Sequence, residues 1–519
     1  MHRLVIALVT LIGLTAATFV AGYLFVFSAS TDRAAALAPA NSAFYVNIYL
    51  QPSTGQQMNL SGLIGRLPGF ADDATLDEKV DQVVQNLLAG SGIDYREQVK
   101  PWLGNQVAIA GWPGGDGLAE PVPVLIADVK DLEAARASVA DLVANGGAAF
   151  SVETYRGVEL QVSDEATYAF VDDMLVVGPE AAAVQSVVDA SDGGDSLADR
   201  DDFTSTMDAL EADHLAAIFV DLGAIGEATG TEEQLSAVST AGAVLVAEAD
   251  GLRLSGSTPF DSTSAEPSDR AGFALGGEPS SLVDWMPEST IAEVVIFGLR
   301  QTLEDAEAAV GEVPEGEDIA STIDTLRLLA AFGLGIDLDA DVLPLLDREV
   351  AIAIGGLSGD LPAGQLLLRP TDPEAAAAAL DRLADSLSGI GASVETETSG
   401  ETDLTVVTIP ETASVAYALV DGIVILGFSP ADVDAAISAH ASGETLGSSE
   451  RYTRTFDVAG TRAGNEAFVD VGALLELVGE PAELPADARD ILLQVGTVGF
   501  TAPSRDDQIE FHLVLTVDP

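Results

Sequence analysis

Hydrophobic and polar positions along the chain follow two periods, one typical of strands and one typical of helices. Short runs rich in β-branched residues, each bounded by Gly, Pro or Asp, predict strands. Asp172-Asp173 and Asp421-Gly422 each separate two apolar runs, and this spacing is typical of a tight hairpin turn. In the first half of the chain, the predicted strands cover residues 107–112, 122–127, 157–162, 168–171, 175–178 and 216–220.

Helical patterns follow several of these strands. Residues 131–144 are rich in Ala and have apolar side chains near the 3.6-residue period of a helix. Asp372 and Pro373 fit the cap and the first turn of a helix over residues 373–387. Hairpins and intervening helices together predict an α+β fold, in which helices cover a mainly antiparallel sheet.

The same series of motifs occurs twice along the chain. Gly-Ile-Asp at residues 92–94 recurs at residues 335–337, and Phe-Val-Asp at residues 219–221 recurs at residues 468–470. Because the repeated motifs keep the same order, the sequence predicts two tandem homologous domains. We place the first repeat at residues 35–262 and the second at residues 280–519. Residues 263–279 are rich in Gly, Ser and Pro, and this composition predicts a linker.

The N-terminus contains an apolar run that predicts a membrane helix. Residues 4–27 carry no charge and directly follow His2 and Arg3. This run exceeds the roughly 20 residues that span a bilayer and the about 7–15 residues of a cleaved signal peptide. We therefore expect residues 1–34 to act as an uncleaved anchor, although the small residues at positions 28–30 leave cleavage open. Positive charge at the N-terminus predicts that the rest of this single-pass chain lies outside the cytoplasm.

The composition excludes several classes of protein. Among 519 residues the chain has 83 Asp+Glu, 22 Lys+Arg and no Cys, so its formal net charge is -61. Without Cys there are no disulfides, no Cys-ligated zinc and no thiol catalysis. The scarcity of cations argues against a nucleic-acid partner. The His residues have no metal-binding spacing, and neither a nucleophile elbow nor a phosphate-binding loop is present. We expect no cofactor and no metal.

One acidic segment requires separate consideration. Asp337, Asp339 and Asp341 alternate along the chain and could converge on calcium. An EF-hand loop, however, needs Gly at its sixth position and Glu at its twelfth. Those positions hold Val342 and Arg348. A solvated loop or a helix cap is the favoured interpretation.

Three residues are candidates for a cleft or an interface: Asp221, Asp470 and Trp102. Both aspartates end a predicted strand, one in each repeat. A carboxylate in this position either lines a cleft or caps the following helix, and the cap is the commoner role. Trp102 follows Pro101 and is either an exposed anchor for a partner or a packed side chain.

The order of motifs resembles a bacterial family. Leu-Ala-Pro-Ala at residues 37–40 precedes a Phe-Tyr-Val strand, and Gly-Ile-Asp at residues 92–94 precedes Val-Lys-Pro-Trp-Leu-Gly at residues 99–104. Together with the N-terminal anchor, this order resembles the domain-of-unknown-function 3352 family over most of the chain. The resemblance implies a membrane-anchored, uncharacterised protein, and it assigns no catalytic residue. The second repeat departs from the pattern, since Leu-Leu-Asp at residues 345–347 stands where the first has Trp-Leu-Gly.

Two functions remain open from the sequence. We favour a membrane-tethered, extracytoplasmic protein without enzymatic activity that binds an envelope protein or a small ligand, because no catalytic constellation is visible. The alternative is a carboxylate-based extracytoplasmic hydrolase such as a glycosidase. Such an enzyme needs two carboxyl groups roughly 5–10 Å apart. The abundance of acids neither identifies nor excludes such a pair.

The distribution of charge predicts a response to salt. Acidic residues are spread through both repeats, so they repel one another across the surface. At about 1 M salt the screening length falls to about 3 Å, and this repulsion weakens. Many acids beside only three Lys residues suit a high-salt setting. We therefore expect residues 35–519 to melt at a higher temperature in about 2 M than in about 0.05 M KCl. Sucrose is the uncharged control, and equal melting temperatures in the two salt concentrations would contradict an adaptation to high salt.

Overall fold

The structure is a computed structural model, and it leaves the predicted anchor at residues 4–27 outside the described residues. Within the described ranges, no helix combines the length and the hydropathy that a membrane span requires. The structure describes residues 32–51, 53–66, 78, 81, 84–85, 93–114, 117–146, 149–229, 235, 237–265, 267–304, 336–358, 361–399, 402–409, 413–478, 493–505 and 507–518.

The chain divides into two compact units, one ending at Ser264 and one extending from Ala265 to Asp518. Residues 263–279, which the composition predicted to be a linker, contain the helix Pro267–Leu275. The backbone N–H of Ser504 donates to the carbonyl of Gly276 at 3.1 Å, so this segment is a folded part of unit 2. A Cβ atom at Gly276 would lie 2.1 Å from Ser504 Oγ. The small residues that suggested a linker therefore include one required for close packing.

Unit 1 has the alternation of strands and helices that the hydrophobic pattern predicts. Its helices are α1 (Thr54–Arg66), α2 (Leu132–Gly146), α3 (Ala181–Ser191), α4 (Asp201–Asp208) and α5 (Leu222–Thr229). Its strands are β1 (Phe44–Tyr49), β2 (Leu103–Gly114), β3 (Gly117–Val129), β4 (Ser151–Tyr155), β5 (Val158–Val162), β6 (Thr167–Val171), β7 (Met174–Gly178), β8 (Ala216–Asp221), β9 (Thr240–Ala247) and β10 (Gly251–Pro259).

The strands of unit 1 pair antiparallel in the order β10-β9-β8-β1-β2-β3-β7-β6-β5-β4. The predicted hairpin between β6 and β7 is confirmed, with Asp172 and Asp173 at φ 48° and 60°. Asp tolerates this left-handed conformation better than most residues, because its short polar side chain can bond locally. Two consecutive positive φ values suit the twist of a two-residue hairpin.

Unit 2 contains the remaining elements. Its helices are α6 (Pro267–Leu275), α7 (Pro373–Gly389), α8 (Pro430–Ser442), α9 (Glu450–Ala459) and α10 (Val471–Val478). Its strands are β11 (Ala292–Phe297), β12 (Glu349–Ser358), β13 (Leu361–Arg369), β14 (Ser393–Ser399), β15 (Thr402–Ile409), β16 (Ala413–Val420), β17 (Ile423–Gly427), β18 (Asn465–Asp470), β19 (Val495–Ala502), β20 (Ser504–Arg505) and β21 (Gln508–Val517).

The strands of unit 2 also pair antiparallel, in the order β21-β19-β18-β11-β12-β13-β17-β16-β15-β14, and β20 pairs with β21. The predicted cap of α7 is confirmed, since Asp372 accepts the N–H groups of Glu374 and Ala375. The chain is therefore α+β with a mainly antiparallel sheet, as the sequence predicted.

Each unit has one core cluster between a face of its sheet and covering helices, and a second cluster on the strand residues that face the other way. In unit 2, Val433 of α8 and Tyr452 of α9 pack with Val295 and Phe468. Burying a side chain of this size removes apolar surface from water and is worth about 1.5–3 kcal/mol. Alternate residues of β11 are buried on this side of the sheet, namely Glu293, Val295 and Phe297.

Candidate functional site

A groove of about 770 Å³ opens on unit 2 beside α8, and this volume is typical of ligand pockets. Exposed polar residues of α8 form one wall, among them Ser438 and Ser442. The segment before β11 forms another wall. The N–H of Glu288 donates to the carbonyl of Glu444 at 3.2 Å, which holds this segment against the end of α8. The groove therefore has walls from separate parts of the chain that the fold brings together.

Helix α8 ends at Ser442, beside the groove. Gly443 adopts φ 78°, and its N–H donates to the carbonyl of Ala439. Glycine favours this left-handed conformation, which closes the helix and turns the chain. After this turn, Glu444 lies at the edge of the groove. The next residue, Thr445, forms an isolated antiparallel β-bridge with Pro287.

Asp470 lies in the wall of the groove, and both of its carboxyl oxygens are engaged. Oδ1 accepts the N–H of Ala473 at 2.9 Å, which caps α10. Oδ2 lies 2.6 Å from a guanidinium nitrogen of Arg451. Arg451 also donates to the carbonyls of Glu288 and Thr290, so it ties α9, β18 and the start of β11 together.

Unit 1 has the same arrangement at Asp221. Its Oδ1 accepts the N–H of Ala224 at 2.8 Å, and its Oδ2 lies 2.7 Å from Arg200. Arg200 also donates to the carbonyls of Ala40 and Ser42. The two aspartates that the sequence singled out therefore cap helices and form ion pairs. Asp470 also lines the groove of unit 2.

The arginines were missed in the sequence for an identifiable reason. Arg200 immediately precedes α4, whereas Arg451 is the second residue of α9. A comparison of the repeats by sequence position therefore does not match them. In the structure, however, the two guanidinium groups occupy equivalent places. Arg200 lies over the ring of Phe219 in β8, 5.5 Å from its centre, and Arg451 lies over the ring of Phe468 in β18, 5.6 Å from its centre.

Trp102 is buried, with 5% of its surface exposed. Its ring packs with Ala127, Val129 and Leu175, and its indole N–H donates to the carbonyl of Gln98 at 2.6 Å. Because both its apolar surface and its N–H are used inside unit 1, Trp102 has a packing role in the structure rather than that of an exposed anchor.

The acidic segment that suggested calcium is used for local structure. Asp337 accepts the N–H groups of Asp339 and Ala340, and Asp341 pairs with Arg382 at 2.6 Å. Across the described part of the chain, no group of three or more His, Asp or Glu side chains is arranged to hold a metal ion.

The groove offers hydroxyl groups and carboxylates to a ligand. Glu288 and Glu444 are exposed at its edge, and neither side chain has an ion-pair partner among the described residues. Hydroxyl and carboxylate groups accept hydrogen bonds and attract cations. This set therefore suits a polar ligand that is uncharged or positively charged.

The fold and the groove define an α+β protein with a ligand-sized pocket. The family model described as "Protein of unknown function (DUF3352)" matches residues 4–516, nearly the whole chain. The chain belongs to this family, which confirms the resemblance seen in its motifs. No curated protein matches the chain.

Crystal structures of TP0453 show distant similarity to this chain. Crystal forms IV and I of TP0453 are 10% and 11% identical to it, with TM-scores of 0.25 and 0.26. The matches cover 44% and 49% of this chain, and 81% and 89% of the other chains. Similarity at this level supports no conclusion about the function of this protein.

The Arg451–Asp470 pair generates a prediction about stability. Arg451→Met keeps much of the side-chain volume and removes the charged donor from a carboxylate and two carbonyls. We expect the free energy of unfolding to fall by about 1–3 kcal/mol, measured by urea denaturation. The control is Arg505→Met, whose side chain is 63% exposed and pairs with Glu510. That change should cost no more than about 0.5 kcal/mol, and equal effects would contradict a special role for Arg451.

Proposed function

We propose that this protein is a membrane-tethered, extracytoplasmic binding protein without catalytic activity, and that the groove of unit 2 receives a small polar ligand. The groove is the observation that carries this proposal. Its volume of about 770 Å³ suits a small molecule, and its hydroxyl and carboxylate groups provide directional contacts. The apolar run at residues 4–27 supports the tether to the cell membrane, with the bulk of the chain outside the cytoplasm.

The proposal includes an origin of the two units by duplication of one domain. The order of paired strands is the same in each unit, with β20 as an addition in unit 2. Each unit also uses an Asp–Arg pair to join the end of one strand to the segment before another. The aspartates match in sequence, but the arginines do not: Arg200 precedes α4, whereas Arg451 lies in the first turn of α9. Under this proposal, the ion pair was kept after duplication although a different position of the chain supplies the arginine.

The hydrolase alternative draws support from one observation, the three carboxyl groups of Glu288, Glu444 and Asp470 at the groove. Asp470 is committed to Arg451 and to the cap of α10. Glu288 and Glu444 are exposed, whereas the acid catalyst of a glycosidase is a carboxyl group placed in a less polar environment. Binding is therefore better supported than hydrolysis.

A bulky substitution tests the groove. In the full chain, we expect at least one member of a panel of sugars, amino acids and polyamines to raise the melting temperature. Saturation at about 100 times Kd stabilises a protein by about 2.7 kcal/mol. Ser438→Trp should fill the groove and remove this shift. The matched control is Ser186→Trp, at a half-exposed position of α3 in unit 1.

Two outcomes would contradict the binding proposal. One is a panel that leaves the melting temperature of the full chain unchanged. The other is a ligand-dependent shift that persists in Ser438→Trp. Hydrolysis of a panel sugar that Glu288→Gln or Glu444→Gln abolishes would favour the hydrolase instead.

Fractionation of cells tests the tether. We expect the full chain to sediment with membranes and to resist extraction at alkaline pH, because about 24 apolar residues are costly to move into water. A variant lacking residues 1–31, which keeps Asp32 and Ala34 in unit 1, should be recovered in the soluble fraction. Mass spectrometry of the membrane-bound protein gives the decisive check, since a mature N-terminus after residue 30 would show cleavage and contradict the anchor.

A further inference from the structure

The inward face of the central strands in unit 2 carries carboxyl groups that the groove does not use. Glu293 on β11, Glu349 on β12 and Glu466 on β18 are each no more than 1% exposed. A buried carboxylate is destabilising unless a cation and hydrogen-bond donors surround it. The three residues differ sharply in how far this requirement is met.

Glu349 has a complete set of partners. Arg369 lies 2.6 Å from its Oε2, the hydroxyl of Ser280 donates to its Oε1 at 2.7 Å, and the N–H of Ser281 donates at 3.1 Å. Glu349 is therefore a fully partnered carboxyl group and serves as a reference within the same core.

Glu293 and Glu466 lack such an environment. Among the residues that the structure describes, neither carboxyl oxygen of Glu293 has a hydrogen-bond partner. Glu466 Oε1 accepts the hydroxyl of Tyr452 at 2.7 Å, whereas its Oε2 has no hydrogen bond and lies 3.8 Å from Nε of Arg462. The ion pair with Arg462 is therefore loose, and three of the four carboxyl oxygens accept no hydrogen bond from the described part of the chain.

The strand register places these two residues together. Glu293 is opposite Phe468, and Glu466 is opposite Val295, so the two glutamates are diagonal neighbours on adjacent antiparallel strands. Both point into the core. Diagonal neighbours on one face lie about 7–8 Å apart at the backbone, within reach of two Glu side chains that meet.

The environment makes it costly to ionise both groups. Burial, and then the charge of Glu466, hold the pKa of Glu293 well above its usual value. Burial raises the pKa of Glu466 to about 7, although the Tyr452 hydroxyl and the charge of Arg462 favour its ionised form. Arg462, Tyr452 and the Glu349–Arg369 pair are the titratable and charged groups that face the two carboxyls from the surrounding elements.

Unit 1 has no carboxyl group in this register. Tyr45 is opposite Phe219, as Glu293 is opposite Phe468, and Ala217 is opposite Asn47, as Glu466 is opposite Val295. The Tyr45 hydroxyl reaches Asp32, a residue that also accepts backbone N–H groups. The fold therefore does not require acids here, and their presence in unit 2 is a property of that unit.

We propose that Glu293 and Glu466 form a proton-dependent switch in the core of unit 2. While the pair holds a proton, one carboxyl can donate to the other and the core stays packed. Loss of that proton leaves two adjacent anions with one loose cation. The helix α9 is the element that this loss should loosen, because Tyr452 joins it to Glu466. This proposal does not depend on ligand binding in the groove.

The sign of the pH effect follows from the raised pKa values. Between the unfolded and folded pKa of a raised carboxyl, the folded state binds more protons than the unfolded state, so stability falls as pH rises. The contribution is complete below a pH of about 4.5 and is lost as pH rises through the folded pKa. Glu293→Gln keeps the shape and removes the titration.

The experiment is hydrogen exchange, read by mass spectrometry, on peptides from α9 and β18 in the full chain. The measured quantity is the opening constant of the unaltered protein divided by that of Glu293→Gln. We expect this ratio to rise about tenfold for each pH unit between about 5 and 7. Effects of the acidic surface occur in both proteins and cancel in the ratio. Peptides of unit 1 should show a constant ratio.

A second measurement covers the case in which Glu293→Gln fails to fold. At pH about 7, the infrared spectrum of the unaltered full chain should contain the C=O stretch of a protonated carboxyl group. Glu466→Gln should shift or remove this band. Glu349→Gln is the matched control, because it removes a partnered carboxyl from the same core and should lower stability while the band stays. A constant opening ratio, or no protonated carboxyl band at that pH, would overturn the proposal.

Discussion

The antiparallel pairing of β11 with its two neighbouring strands positions the buried carboxyl pair of unit 2 and one wall of the groove. This strand pairs with β12 on one side and β18 on the other, so its inward residues face a helical layer and its start meets the end of β18. The start of β11 is also where the groove begins. One ladder thus sets both the buried carboxyl pair and the wall of the groove, and a shift of register by one residue would turn the acids outward.

In each unit, an Asp–Arg pair stabilises the end of one strand of the central ladder. In unit 2 the pair joins the last residue of β18, the first turn of α9 and two carbonyls just before β11. These carbonyls precede the strand, so they have no partner in the ladder and need a donor. A guanidinium group supplies several donors in one plane, which explains why arginine can serve all of them. In unit 1, Arg200 donates to the carbonyls of Ala40 and Ser42 in the same way, although it lies just before α4 rather than within the helix.

Local patterns predicted much of the fold, and non-local contacts account for what was missed. Strand alternation, the Asp172-Asp173 turn and the Asp372 cap depend on neighbours in sequence, and each was predicted correctly. Asp221 and Asp470 were found as strand-end acids, but their arginine partners depend on how helices pack on the sheet. The segment predicted to be a linker contains α6 and Gly276, because composition does not distinguish a glycine of a flexible linker from one that packs closely, as Gly276 does against Ser504.

The acidity of the chain and the buried pair are connected through electrostatics. A chain with a formal net charge of -61 has a negative potential that disfavours any further anion, including a second charge in the core of unit 2. Salt screens exposed charges over about 3 Å at 1 M but acts weakly on buried ones. High salt therefore relieves repulsion at the surface while the burial cost of Glu293 and Glu466 remains. Surface charge and core charge consequently respond to different variables, ionic strength for the first and pH for the second, and the two contributions to stability can be separated by varying them independently.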